Sequence, residues 1–237
     1  MEKSIYDSKI SSNFQSIYQS KEFNDLNLND FSEKFKNVPN YQELKILKEI
    51  YNELMMSCRL SKFIFDSRGN RINGWSLNEK RGDKSYSPPI GWIGIGLNVI
   101  DKYDNGNNIW IGKNNQKGEW CVAYHAIAGP NSDFIKRILN PVIQQGLKPG
   151  RSIDENCDDV FHPGNKVGIG VYLTPSIEEA EKYAGKIDIN GKNYKVALML
   201  RVKGDKIRMC VIHNSNFWVL NGTGDEIRIY RILLKEV

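Results

Sequence analysis

The chain has 237 residues, of which 40% are apolar and 26% charged, enough for one well-buried core and typical of a folded domain rather than a disordered or fibrous chain. No run approaches the roughly 18 apolar residues of a membrane span, and Met1 to Tyr18 lacks the apolar block of a signal peptide, so a cytoplasmic protein with no membrane partner is expected. The net charge of +5 lies wholly beyond residue 66 (24 basic against 18 acidic residues, with nine against ten before it), which suits an anionic ligand; without a basic run, no nucleic-acid partner is expected.

The first forty residues, rich in Ser, Asn, Lys and Asp, read as a mobile lead-in with a short helix around Asp30 to Lys36. A stronger helix follows Pro39, with Asn40 as N-cap, Glu43 at the capping-box position and an apolar stripe through Tyr41, Leu44, Leu47, Ile50, Tyr51, Leu54 and Met55. Beyond Leu60, KFIFDSRGNRING predicts a strand and turn, and KRGDKSYSPPIGW a loop stiffened by Pro88 and Pro89. GWIGIGLNVI, the turn at Asp104, NIWIG and GEWCVAYHAI then predict successive β-elements. Helical spacing returns from Ser132 to Gln145 and ends at Gly146. A hairpin at Asn190-Gly191 and the strands YKVALMLRVK, IRMCVI, FWVLNG and EIRIYRILLK complete the chain. The expected class is α+β, with residues 1–66 a helical extension and residues 67–237 one strand-rich unit.

The stretch GNKVGIGVYLTPSIEEAEKYAG, Gly164 to Gly185, organises the candidate site. Gly168 and Gly170, lacking Cβ atoms, allow backbone to approach a flat ligand. Pro175 and Ser176 end a strand and start a helix, with Glu178, Glu179 and Glu181 in its first turns, where carboxylates suit the helix dipole. Tyr172 and Tyr183 could sandwich an aromatic ring or simply pack in a core. His125 ends a strand whose alternation sends it to the face opposite Tyr124, and Glu226 opens the last strand after Gly222-Thr223-Gly224-Asp225. Four scattered cysteines without a CxxC pair suit reduced thiols, and no companion motif marks one as a nucleophile. Cys121 and His125 on one strand would stand ~13 Å apart, too far to share a zinc ion whose ligands lie within about 2.3 Å.

This order, histidine, paired tyrosines around a glycine turn, then a late glutamate, resembles the H-Y-E, or poly(ADP-ribose) polymerase-like, family of ADP-ribosyltransferases. The likeness runs from about Trp120 to the C-terminus, and its most specific part is GVYLTPSIEEAEKYA, with Tyr172 and Tyr183 eleven residues apart. It implies an ADP-ribosyltransferase-like split β-sheet core, residues 67–237 being the catalytic domain, with NAD in the cleft as co-substrate. It further implies that Gly170 lets backbone close on that cleft, that Tyr172 and Tyr183 stack on nicotinamide, that His125 bonds a ribose hydroxyl, and that Glu226 holds the nicotinamide ribose. Ala126 stands where the family has glycine, its backbone meeting the nicotinamide amide. Ala180 stands where the family has serine, with Ser176 the alternative partner for that amide. Arg151, Lys148 or Lys166 would neutralise the pyrophosphate.

A narrower likeness, carried by YSPPIGWIGIGLNVIDKYDNG, GEWCVAYH, CDDVFHPG, GVYLTPS and DEIRIYRILLK, is to effectors that attach ADP-ribose to a threonine of ubiquitin. It implies a protein acceptor, with ubiquitin as one candidate and Asp158, Asp159 or Asp225 as its base. The alternative is a noncatalytic module of the same fold that binds NAD, ADP-ribose or ubiquitin. The R-S-E toxin class is a poorer match, because Gly224 stands where it has an acidic or amide residue.

Overall fold

The computed structural model describes residues 41–57, 80–150, 154–221 and 225–237. The lead-in with its short helix, the cap at Asn40, the strand and turn from Lys62 to Gly74, Arg151, and the turn through Gly222 to Gly224 lie outside them.

Helix α1, Tyr41–Ser57, buries Ile50, Tyr51 and Leu54, the part of the expected stripe that is described, in the same core as the strands that follow. An ion pair between Glu53 and Lys136 (3.2 Å) ties it to the next helix. Strands β1 (Lys80–Arg81) and β2 (Lys84–Ser85) correct the expectation of a plain loop. Gly82 and Asp83 both take positive φ (57° and 63°), the geometry a two-residue hairpin turn requires.

β3 (Ile93–Gly96) forms as expected, but NIWIG does not become a strand. Ile109–Ile111 is a turn of 3-10 helix, because local bonds take the groups that a ladder would use. The Asn107 side chain accepts from Ile109 N–H at 2.9 Å, and Gly112 N–H donates to the Ile109 carbonyl at 3.0 Å.

β4 (Cys121–Ala126) leads to helix α2, Ser132–Gln145, whose N-cap Asn131 accepts from Phe134 N–H. α2 buries Ile135, Leu139 and Ile143 at the i, i+4, i+8 spacing of one helical face and ends at Gly146. β5 (Val171–Leu173) and α3 (Ile177–Tyr183) follow, with Ser176 as the α3 N-cap. β6 (Lys186–Ile189) and β7 (Lys192–Val202) make the Asn190-Gly191 hairpin, and β8 (Arg208–Ile212), β9 (Ser215–Leu220) and β10 (Ile227–Glu236) end the fold.

The architecture is α+β. One antiparallel sheet runs β3-β10-β7-β4, with β6 also on β7; a second runs β5-β9-β8. The long central strands β7 and β10 are buried almost throughout, reading as near-continuous apolar runs because both faces are covered. The sheets meet where Tyr124 of β4 and Thr174 beyond β5 exchange backbone bonds of 2.8 and 3.1 Å.

At the start of β10, Arg228 makes two 2.7 Å bonds to Asp104 and lies 4.4, 4.9 and 4.2 Å from the ring centroids of Tyr103, Trp110 and Trp120. Arg228 is almost fully buried and Asp104 half exposed, so most of the guanidinium's contribution comes from the aromatic cage. Arg228→Ala should therefore cost about 2–4 kcal/mol and Asp104→Ala distinctly less, read from urea midpoints. Equal costs would show that the cage contributes nothing.

Candidate functional site

β4 divides its side chains between two environments. Tyr124, fully buried, sends its hydroxyl to the Ser87 carbonyl at 2.7 Å. His125 faces the other way and meets β5, with Nδ1 2.9 Å from the Tyr172 carbonyl. A carbonyl only accepts, so Nδ1 carries the proton and Nε2 is left as an acceptor. Burial pulls the His125 pKa below its ordinary 6.5, outweighing the opposing effect of the Tyr172 carbonyl, and the ring is neutral at pH 7.

On β5 the alternation is equally clear: Val171 and Leu173 enter the core and Tyr172 faces away from it, its hydroxyl 3.4 Å from the Gly168 carbonyl. Gly168 takes φ +67°, and a Cβ at Gly170 would lie 2.6 Å from the Leu220 carbonyl oxygen. The turn therefore needs both glycines, the first for its backbone angle and the second for close approach to β9.

α3 is held as a unit. Ser176 Oγ accepts from Glu179 N–H (3.0 Å) and donates to Glu178 (2.8 Å). Glu179 bonds Ser215 of β9 at 2.7 Å and Lys182 at 2.5 Å, while Glu181 pairs with Lys195 of β7 and Lys235 of β10 at 3.1 and 2.7 Å. Of the acids expected to serve the helix dipole, Glu178 thus stays at the cap, while Glu179 and Glu181 are also tertiary anchors. They fix Tyr183, half exposed, with its ring edge-on to Phe217 at 6.1 Å.

These elements border an open cavity of about 470 Å³. His125 and Ala126 from β4, Tyr172 from β5, Tyr183 from α3, Phe217 from β9 and Val142 from α2 all line it. Its size falls in the range of small-molecule sites, and its walls are mainly aromatic and aliphatic. Ala180, three residues before Tyr183, also lines it.

Other expected site residues lie elsewhere. Ser176 is not part of the cavity wall; its hydroxyl is engaged at the α3 cap. Glu226 is not a lining residue either: both its carboxylate oxygens are bound by Asn221, from the backbone N–H at 2.9 Å and from Nδ2 at 3.2 Å. Lys166 is paired with Asp158 at 2.6 Å on the surface. Asp159 is buried. Burial pushes its pKa up, but donors from Met209, His162 and Phe161 more than offset this and leave it below the ordinary 3.8, a saturated structural carboxylate rather than a base.

Asn221 and Arg208 escaped the sequence reading. Asn221-Gly222 has the signature of a turn, and Arg208 opens an otherwise ordinary strand. Two thiols are inert by environment: burial pushes Cys121 up to about 11, and burial with Cys157 alongside pushes Cys210 up to about 12. None of the described helices is long and apolar enough to cross a membrane. Compared with protein-family models and with curated proteins, the chain matches none of either.

A histidine whose folded pKa is depressed binds fewer protons than in the unfolded chain, so stability rises with pH through that window. Native protein should lose stability as pH falls below about 6.5, in a step that His125→Asn removes. The lowered pKa values of Glu179 and Glu181 act separately: their contribution is complete above their ordinary 4.5 and is lost on further acidification. Chemical denaturation between pH 4.5 and 7.5 checks this. Identical profiles for wild type and His125→Asn would mean that the ring titrates as it does in the unfolded chain.

Proposed function

We propose that the protein is an NAD-dependent mono-ADP-ribosyltransferase that modifies a protein hydroxyl, with a threonine of ubiquitin as the acceptor to test first. The observation that carries the reading is the gathering of His125, Ala126, Tyr172 and Tyr183, chosen from one sequence pattern, around one cavity. The arrangement of a five-stranded and a three-stranded sheet, joined among the described residues by the Tyr124–Thr174 bridge, is compatible with the split core that this reading requires.

In the proposed reaction the bond between nicotinamide nitrogen and ribose C1′ breaks, and its electron pair returns to the ring nitrogen, which becomes neutral. The acceptor oxygen forms the new bond to C1′ and passes its proton to a base, for which the reading retains Asp225, or to water. Positive charge builds on C1′ and the ring oxygen in the transition state, which a carboxylate stabilises more than it stabilises the ground state. Tyr172 and Tyr183 hold the departing ring by stacking. Neutral His125 accepts a ribose hydroxyl through Nε2, and Glu226 supplies the negative charge. For the pyrophosphate, Arg151 and Lys148 are the cations the reading retains.

A second reading, a noncatalytic module that binds NAD, ADP-ribose or ubiquitin, draws on the position of Glu226 outside the cavity wall. Labelled NAD offered with a cell lysate and ubiquitin separates the two. Under the transferase reading a protein band is labelled, Glu226→Ala lowers turnover by about 100-fold or more with little change in NAD affinity, and Tyr172→Ala weakens NAD binding about 10-fold. NAD binding without label or nicotinamide release would select the module instead; undiminished binding in Tyr172→Ala would remove the stacking role.

A further inference from the structure

Glu226 is not left to find its own orientation. The terminal torsion of a glutamate is broad, yet here one residue, Asn221, occupies both carboxylate oxygens with two donors. The amide of Asn221 is itself oriented by charge. Its Oδ1 accepts from Arg208 Nη2 at 3.3 Å while its Nδ2 faces Glu226. A flipped amide would set N–H against guanidinium and oxygen against carboxylate, so only one orientation satisfies both neighbours.

Arg208 is in turn fastened to the glycine turn. Nη1 donates to the Val167 carbonyl and Nη2 to that of Ile169 at 3.3 Å. That turn leads directly into β5, where Val171 pairs with Leu220, the residue before Asn221. A continuous chain of polar contacts therefore runs from the backbone that carries Tyr172, through Arg208 and Asn221, to the Glu226 carboxylate.

We infer that Asn221, oriented by Arg208, is a positioning residue that sets the Glu226 carboxylate relative to the tyrosine wall. The inference rests on the transferase reading above. Rigid placement matters because a charge stabilises a transition state only if no reorganisation is needed when the positive charge develops. Arg208 serves here through its planar fork, which a lysine cannot reproduce.

The test is steady-state nicotinamide release from NAD by wild type, Asn221→Ala, Asn221→Asp, Arg208→Lys and Glu226→Gln, with thermal melting of each. Asn221→Ala keeps the backbone donor and should lower kcat about 10-fold; Asn221→Asp, nearly the same shape, sets carboxylate against carboxylate and should lower it about 100-fold. Arg208→Lys should fall with Asn221→Ala. In both Asn221 variants the KM for NAD should stay within about twofold of wild type, because the stacking wall is untouched; Arg208→Lys also loosens the glycine turn before Tyr172 and is read on kcat alone.

If wild type releases nicotinamide, Glu226→Gln does not, and both Asn221 variants match wild type, the positioning role is overturned while the transferase reading stands. A loss of kcat matched by a raised KM and a lowered melting temperature in Asn221→Asp would assign Asn221 to the fold and overturn it too. A wild type that binds NAD but never releases nicotinamide overturns the transferase reading, and this inference with it.

Discussion

The candidate site depends on one hydrogen bond, from His125 Nδ1 to the Tyr172 carbonyl. Tyr124 and Thr174 exchange both backbone bonds, so an ordinary antiparallel ladder would continue two residues on, with the Tyr172 carbonyl facing the N–H of Ala126. The imidazole takes that carbonyl instead. β4 and β5 then part after a single bridge, and the chain forms two sheets where it could have formed one. The cavity occupies the parting. Such a bond contributes only about 1 kcal/mol net, but it decides whether the backbone at Ala126 closes into a ladder or lines a space. The same bond fixes the tautomer of His125, and burial keeps the ring uncharged.

Much of this was legible wherever a side-chain period coincides with a burial period. Ile50, Tyr51 and Leu54 on α1, Ile135, Leu139 and Ile143 on α2, and the apolar runs of β7 and β10 each state their burial in their spacing. The approach of Tyr172 and Tyr183 to one cavity was also readable, because a strand, a capped turn and a short helix leave little freedom over eleven residues. NIWIG misled because a buried Trp110 between two isoleucines gives a strand pattern, whereas its backbone was already committed to Asn107 and Gly112. Asn221 and Arg208 were invisible for a different reason. A polar contact between Arg208 and a carbonyl 41 residues earlier leaves no period, and nothing in an Asn-Gly pair distinguishes a turn from a carboxylate holder.

The basic excess beyond residue 66 takes on a different meaning once its members are placed. Arg81, Arg201, Arg228 and Arg231 are all buried. Arg201 donates to the carbonyls of Trp120, Ile111 and Gly112 at 2.7, 3.1 and 2.5 Å, closing the segment that failed to become a strand onto β4 and β7. Arg228 closes the neighbouring turn through Asp104. Buried guanidinium groups must find such partners, because their desolvation is otherwise uncompensated. A count of charges therefore overstates the positive surface offered to an anionic ligand, since much of the excess is spent on the fold.

The division of labour between the sheets sets what the site can do. The five-stranded sheet carries His125 on β4 and leads out of Glu226 into β10; the three-stranded sheet carries Tyr172 on β5, Phe217 on β9 and, just past β9, Asn221. Neither sheet alone contains a complete set of stacking, hydrogen-bonding and charged groups. Val171, Leu173, Trp218 and Leu220 share one apolar core with the five-stranded sheet, and polar ties are added at a few points: the Tyr124–Thr174 bridge, the His125 bond, the ion pairs of Glu181 to β7 and β10, and the Asn221 grip on Glu226. Each of these ties is polar and directional, whereas the shared core is apolar and tolerant of shape-conserving change. Geometry at the cavity should accordingly respond more to loss of one of these polar ties than to repacking of the apolar core, even where the core change costs more stability.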